Sequence, residues 1–218
     1  MKHPYVTIEA AELDAMNHRK RGLLLNSLAG FRMAVMVGTI SPQGVFNLSI
    51  FNSLVHLGAD PPLWGLVLRP NPLERDTYRN IERLHTYTLN YIPLYEREGA
   101  HQCSAKYDPS VSEFDSCGFE PELIDGCIAP FVKSALVKIQ MELVSVIPVP
   151  LNQTSIMIGK PVAITMKSEL LGADGFVNLA DHGILGCMGL DAYIRAQLLD
   201  RYEYAQPGKA VSKKESDL

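Results

Sequence analysis

Apolar residues along this chain recur mostly with a period of two, the spacing of a strand with one face turned to a core. In Ala135 to Ile147, Val137, Ile139, Met141 and Leu143 alternate with Lys138, Gln140, Glu142 and Val144. Ser155 to Met166 reads as the partner strand, with Asn152-Gln153 as the turn between them. Further strands are predicted at about 32–40, 45–54, 63–68 and 86–92. Leu63 to Leu68 is wholly apolar and turn-bounded, hence buried, and Tyr87 to Ile92 has strong β character. Helices are expected over 8–28, Tyr78–Leu84, part of Leu94–Lys106 and Leu190–Leu199. Tyr107 to Pro130 is rich in Pro, Asp, Ser and Gly and has no period, so it reads as a long structured loop, a kind of segment that tends to be functional. The polar stretch from Gln206 is expected to be disordered. Consecutive strands with short turns and few intervening helices predict an antiparallel barrel or sandwich.

Composition narrows the classes. At 218 residues the chain builds one substantial core or two small ones. A hydrophobic content of 47% with 20% charged residues is that of an ordinary globular protein. The net charge of −4 and the lack of a basic stripe argue against nucleic acid as a partner. No apolar run reaches the roughly 18 residues of a membrane helix, and the first residues do not form a secretory signal. Cys103, Cys117, Cys127 and Cys187 form no CxxC pair, and the histidines show no metal-ligand spacing. They read as reduced thiols in a cytoplasmic protein, without a metal. No GxGxxG, P-loop or GxSxG is present.

The candidate chemistry lies between residues 38 and 81. On the strand after the Ser41–Gly44 turn, one face carries Asn47, Ser49, Phe51 and Ser53. The other carries Phe46, Leu48, Ile50, Asn52 and Leu54. The first face is either a solvated outer surface or a hydrogen-bonding wall. Asn52, on the otherwise apolar face, needs a partner if buried: backbone, water or ligand. Arg69 and Arg75 flank the start of the Tyr78–Leu84 helix, for which Asp76 or Thr77 is the expected N-cap. Either the arginines pair with Glu74, Asp76 or Glu82, or an anion binds between them at the helix's positive end.

The ordered set Asn47-Leu48-Ser49-Ile50-Phe51-Asn52, Asp60-Pro61-Pro62, Arg69-Pro70 and Asp76-Thr77-Tyr78-Arg79-Asn80-Ile81 resembles the flavin reductase-like family. Leu89-Asn90-Tyr91, Val111 to Asp115 with Gly118-Phe119, Ile156 to Val162, Gly189-Leu190, Tyr193 and Tyr202 to Pro207 extend the resemblance over about 26–207. Where family members often carry Pro and Ser, this chain has Ile50 and Asn52. The resemblance implies a mainly β protein with peripheral helices: an FMN-binding split β-barrel, a Greek-key type antiparallel barrel. It would span 26–207, after an N-terminal helical extension (1–25) and before a disordered tail (208–218). It further implies a homodimer with FMN near the subunit interface. Asn47, Ser49, Ile50, Phe51, Asn52 and Ser53 would contact the isoalloxazine ring and ribityl chain, and Arg69, Arg75 and Thr77 the phosphate. Ser104 and Tyr107 would edge the pocket.

The implied activity is reduction of flavin by NADH or NADPH, with a possible partner oxygenase taking the reduced flavin. The nicotinamide nucleotide would dock over the flavin, and no side chain is obligate for hydride transfer. Two other readings remain open: an electron carrier fed by another protein, and a cofactor-free scaffold.

Overall fold

In a computed structural model, residues 5–70 and 72–214 are described. Two N-terminal helices, α1 (Ala10–Ala15) and α2 (His18–Leu28), precede the sheet. The helix expected over 8–28 is broken because Met16 is extended and the Asn17 side chain accepts the Arg19 and Lys20 N–H groups, capping α2. Neither helix buries a residue.

The strands β1 (Phe31–Met33), β2 (Val35–Ile40), β3 (Phe46–Phe51), β4 (Leu54–Ala59) and β5 (Pro62–Leu68) come next. Helix α3 (Asp76–Leu84) and strand β6 (Thr86–Tyr91) follow, then the short helices α4 (Arg97–Gln102) and α5 (Glu113–Cys117). The remaining strands are β7 (Pro121–Glu122), β8 (Phe131–Val132), β9 (Val137–Val149), β10 (Thr154–Met166), β11 (Leu185–Met188) and β12 (Ala192–Arg195). Seven strands form one antiparallel sheet in the order β3-β2-β6-β9-β10-β5-β4, with a side sheet β1-β11-β12. The fold is thus mostly antiparallel β with few, peripheral helices.

The long β9–β10 hairpin is the spine of the sheet. Its first half buries Val137, Ile139 and Met141 as the alternation requires. Register shifts at Ile158/Gly159 and Pro161/Ala163 bend it. Gly159 sits where any Cβ would overlap the Tyr87 hydroxyl, so the close approach requires glycine. The main core gathers Val35, Val37, Leu66, Leu68, Leu89, Ile139 and Met157 from the sheet with Ile81 of α3.

Two features set the site. The run expected as one strand over 45–54 is two, β3 and β4, which form opposite edges of the seven-stranded sheet. The hydrogen-bond ladder does not close between them, and Asn52-Ser53 is the corner at which the chain crosses from one edge to the other. Ser53 fixes that corner: its carbonyl accepts the Val67 N–H at 3.1 Å and its hydroxyl donates to the Val67 carbonyl at 2.8 Å. The expected helix over 190–199 does not form: a turn leads into strand β12 (Ala192–Arg195), and 196–199 are in no regular element. Gly189 turns with φ +65° and Tyr193 pairs with Cys187 across the β11–β12 hairpin. Strand pairing overrides a local helical spacing here.

The chain leading into the polar tail makes contacts within the described residues. Tyr202 pairs with Lys213, Arg201 stacks 3.9 Å over the Phe176 ring, and Arg201 and Lys213 make ion pairs with Asp174 and Asp200. These contacts hold the stretch through Lys214, while 215–218 lie outside the described residues. No described helix is long and apolar enough to cross a membrane.

Candidate functional site

A cleft of about 920 Å³, its open mouth included, lies at the β3–β4 corner. One wall is Ser49 to Ser53, and one end is Arg69, Arg75 and Thr77. The opposite wall is built by Cys103 to Ala105, after α4, and by Cys187, Gly189, Leu190 and Tyr193 on the β11–β12 hairpin.

At the cationic end, Arg75 occupies the N-cap of α3 with an extended backbone and makes no side-chain cap bond. The cap expected at Asp76 or Thr77 is therefore shifted, and both residues lie inside the helix. The first N–H groups of α3 lack intrahelical partners and point out of its positive end. Asp76 is committed to Arg79 in the next turn. Among the described residues neither Arg69 nor Arg75 forms an ion pair, so the surface-pairing alternative does not hold. Arg69 is exposed by area, yet desolvation, and then the Arg75 charge, draws its pKa below the ordinary arginine value. Two like charges held together at a helix start are an arrangement suited to an anion.

Behind that end a buried polar network fixes the wall. Asn47 is buried, which removes the solvated-face reading at this position. Its Oδ1 accepts from Thr39 at 3.0 Å and lies 3.0 Å from Thr77 Oγ1. Thr77 Oγ1 is also 2.9 Å from Ser49 Oγ. One hydroxyl hydrogen serves one acceptor, so Thr77 donates to Asn47 and accepts from Ser49. Asn80 donates to Thr39, and the Asn47 amide donates to Glu113 at 2.8 Å. Glu113 also accepts the free edge-strand N–H of Leu48 at 3.1 Å. Burial raises the Glu113 pKa, while these donors and its own N–H work in the other direction.

Asn52 finds a backbone partner: its amide donates to the Gly189 carbonyl at 2.5 Å, tying the two walls together. The structure thus brings Ser49, Ile50, Phe51, Asn52, Ser53, Arg69, Arg75, Thr77 and Ser104 to one cleft. It does not bring Asn47 or Tyr107 to its surface. Asn47 stands behind the wall, and the Tyr107 hydroxyl is bound to Gln102 and lies 3.5 Å from Cys117 Sγ. Sequence reasoning did not assign Cys103, Cys187, Leu190 or Tyr193 to the cleft. Gly189-Leu190 and Tyr193 carried a signal in the family resemblance, but the helix expected there hid it.

The profile of the flavin reductase like domain matches residues 28–185. The chain belongs to the flavin reductase-like family. Among solved structures it is similar to a candidate flavin reductase with a split barrel domain from Shewanella frigidimarina NCIMB 400. That likeness has 36% identity and a TM-score of 0.88, covering 92% of this chain and 100% of the other. It is also similar to nitrilotriacetate monooxygenase component B from Bacillus cereus, at 19% identity and TM-score 0.79 over 93% of this chain and 100% of that one. Flavoredoxin of Desulfovibrio vulgaris (Miyazaki F) matches at 18% identity and TM-score 0.68, over 83% and 92% of the two chains. The last two likenesses concern the fold. In this flavin reductase-like chain the cleft lies mainly within the matched domain, and only Cys187, Gly189, Leu190 and Tyr193 come from beyond it.

Proposed function

We propose that this chain is an FMN-binding oxidoreductase that accepts hydride from NADH or NADPH. The observation that carries the reading is the anion-binding end: two arginines without acidic partners beside the open start of α3, next to a polar strand corner. This end fits a terminal phosphate. The Ser49–Ser53 wall fits a planar, hydrogen-bonding ring, offering the Ser49 and Ser53 hydroxyl oxygens as acceptors, the Asn52 side-chain carbonyl and the Phe51 face. Asn47 supports that wall from behind. Bound FMN would supply the hydride-accepting ring, which is why no acid–base pair is needed. The protein's own share is to hold the phosphate, orient the ring and keep the Cys103/Cys187/Leu190 wall apolar. Reduced flavin released from such a site could serve a partner oxygenase, as the component B likeness suggests. The four unpaired cysteines fit a reducing, cytoplasmic setting.

A homodimer accompanies this reading. Exposed apolar side chains stand on β4, β9 and β10 (Val55, Leu57, Val144, Ile147, Val162 and Ile164) and on α2 (Leu23, Leu25 and Leu28), and a second copy would cover some of them.

Rapid mixing of the FMN-loaded protein with NADH and with NADPH tests the activity. Bleaching of the flavin band within seconds by at least one nucleotide is expected. Slow bleaching by both would instead favour an electron carrier fed by another protein.

A further inference from the structure

Tyr193 is the feature of the cleft that phosphate and ring binding leave unused. It stands on the wall opposite Ser49–Ser53, among Cys103, Cys187 and Leu190. Its hydroxyl lies 3.0 Å from His101 Nδ1, and the two rings meet edge to face with centroids 5.8 Å apart. His101, on α4, is exposed, so the Tyr193 hydroxyl lies where the apolar wall reaches solvent. A second molecule entering over a bound ring would meet this edge. Burial, then the nearby Cys187, Asp191 and Cys103, push the Tyr193 pKa up to about 12, so the phenol stays neutral.

A neutral phenol paired with an imidazole nitrogen can present either polarity. If His101 Nδ1 carries the proton, it donates to the phenol oxygen, and the Tyr193 O–H is free to donate into the cleft. If Nδ1 is bare, Tyr193 donates to it, and the phenol oxygen accepts from the cleft. A primary carboxamide, with its carbonyl acceptor and NH₂ donor, suits both settings. It also suits a wall that is otherwise largely apolar.

We propose that Tyr193 binds the carboxamide of the nicotinamide ring of the electron donor, and that His101 is a positioning residue that sets the direction of the phenol hydrogen. The proposal rests on the flavin reading of the same cleft.

The test has two stages, both read by binding. Wild type, Tyr193→Phe, His101→Phe and His101→Gln are first titrated with FMN. Equal affinities are expected, because Tyr193 is off the flavin wall. Failure of the wild type to take up FMN would overturn the flavin reading itself. FMN-loaded proteins are then titrated with NAD⁺, NADP⁺ and ADP-ribose, followed by perturbation of the flavin absorbance or by calorimetry. Tyr193→Phe is expected to weaken the nicotinamide nucleotide by about fivefold to tenfold, the size of one neutral hydrogen bond, and to leave ADP-ribose unchanged. His101→Phe should follow Tyr193→Phe, and His101→Gln should restore most of the loss, since an amide can also donate or accept. The proposal is overturned if Tyr193→Phe weakens FMN, if it weakens ADP-ribose equally, if it leaves both nucleotides unaffected, or if neither nucleotide binds the wild type.

Discussion

Glu113 carries a charge that the fold has to hide. Its carboxylate satisfies the Asn47 amide and the Leu48 N–H at the sheet edge, 66 and 65 residues away in sequence. Burial outweighs those donors and raises its pKa. A folded-state pKa above the unfolded value means that the protonated form favours the fold. The associated stability is complete below the unfolded value, about 4.3 for glutamate, and is lost as pH rises through the folded one. Thermal melts of wild type against Glu113→Gln should show it. The wild type is expected to lose relative stability as pH rises from about 4.3, and the variant to lack that component. Parallel pH curves for the two would exclude it. Strand alternation and the helix start mark Asn47 and the arginines locally, although Asn47, expected to touch the ring, stands behind the cleft wall. The sequence could not reveal that Glu113 is the partner of Asn47, or that Tyr193 faces the same cleft. Both contacts join distant segments and leave no local period.

At the scale of elements, what was legible followed from strong, long patterns. In the β9–β10 hairpin, β9 buries Val137, Ile139 and Met141 of the residues its alternation marks, and half-buries Leu143. Helix α3 buries Thr77, Tyr78, Asn80 and Ile81 on one face, and His85 ends it in the left-handed conformation at φ 55°. The misread elements are those that pairing decides. Residues 190–199 have apolar spacing suited to a helix, yet Leu185–Met188 is available to pair, and the hairpin forms. The break at Asn52-Ser53 in the run over 45–54 is likewise imposed by the sheet: a straight strand could not join its two edges. That break creates the corner at which the cleft opens, so the functional geometry arises where the sequence pattern is least informative.

For the whole molecule, the exposed apolar strands and the unburied α2 predict self-association. Light scattering behind a sizing column should give twice the chain mass, and Ile164→Glu should shift the population toward monomer. A monomeric wild type at micromolar concentration would argue that those faces serve some other purpose. The central claim concerns the cationic end of the cleft, and comparing FMN with riboflavin tests it directly, since the two differ only in the phosphate. The account predicts that FMN binds at least about a hundredfold tighter, as expected for two charge-assisted contacts, and that Arg69→Ala and Arg75→Ala each remove about tenfold or more of that preference. Equal affinities for FMN and riboflavin, or a preference untouched by both substitutions, would contradict it.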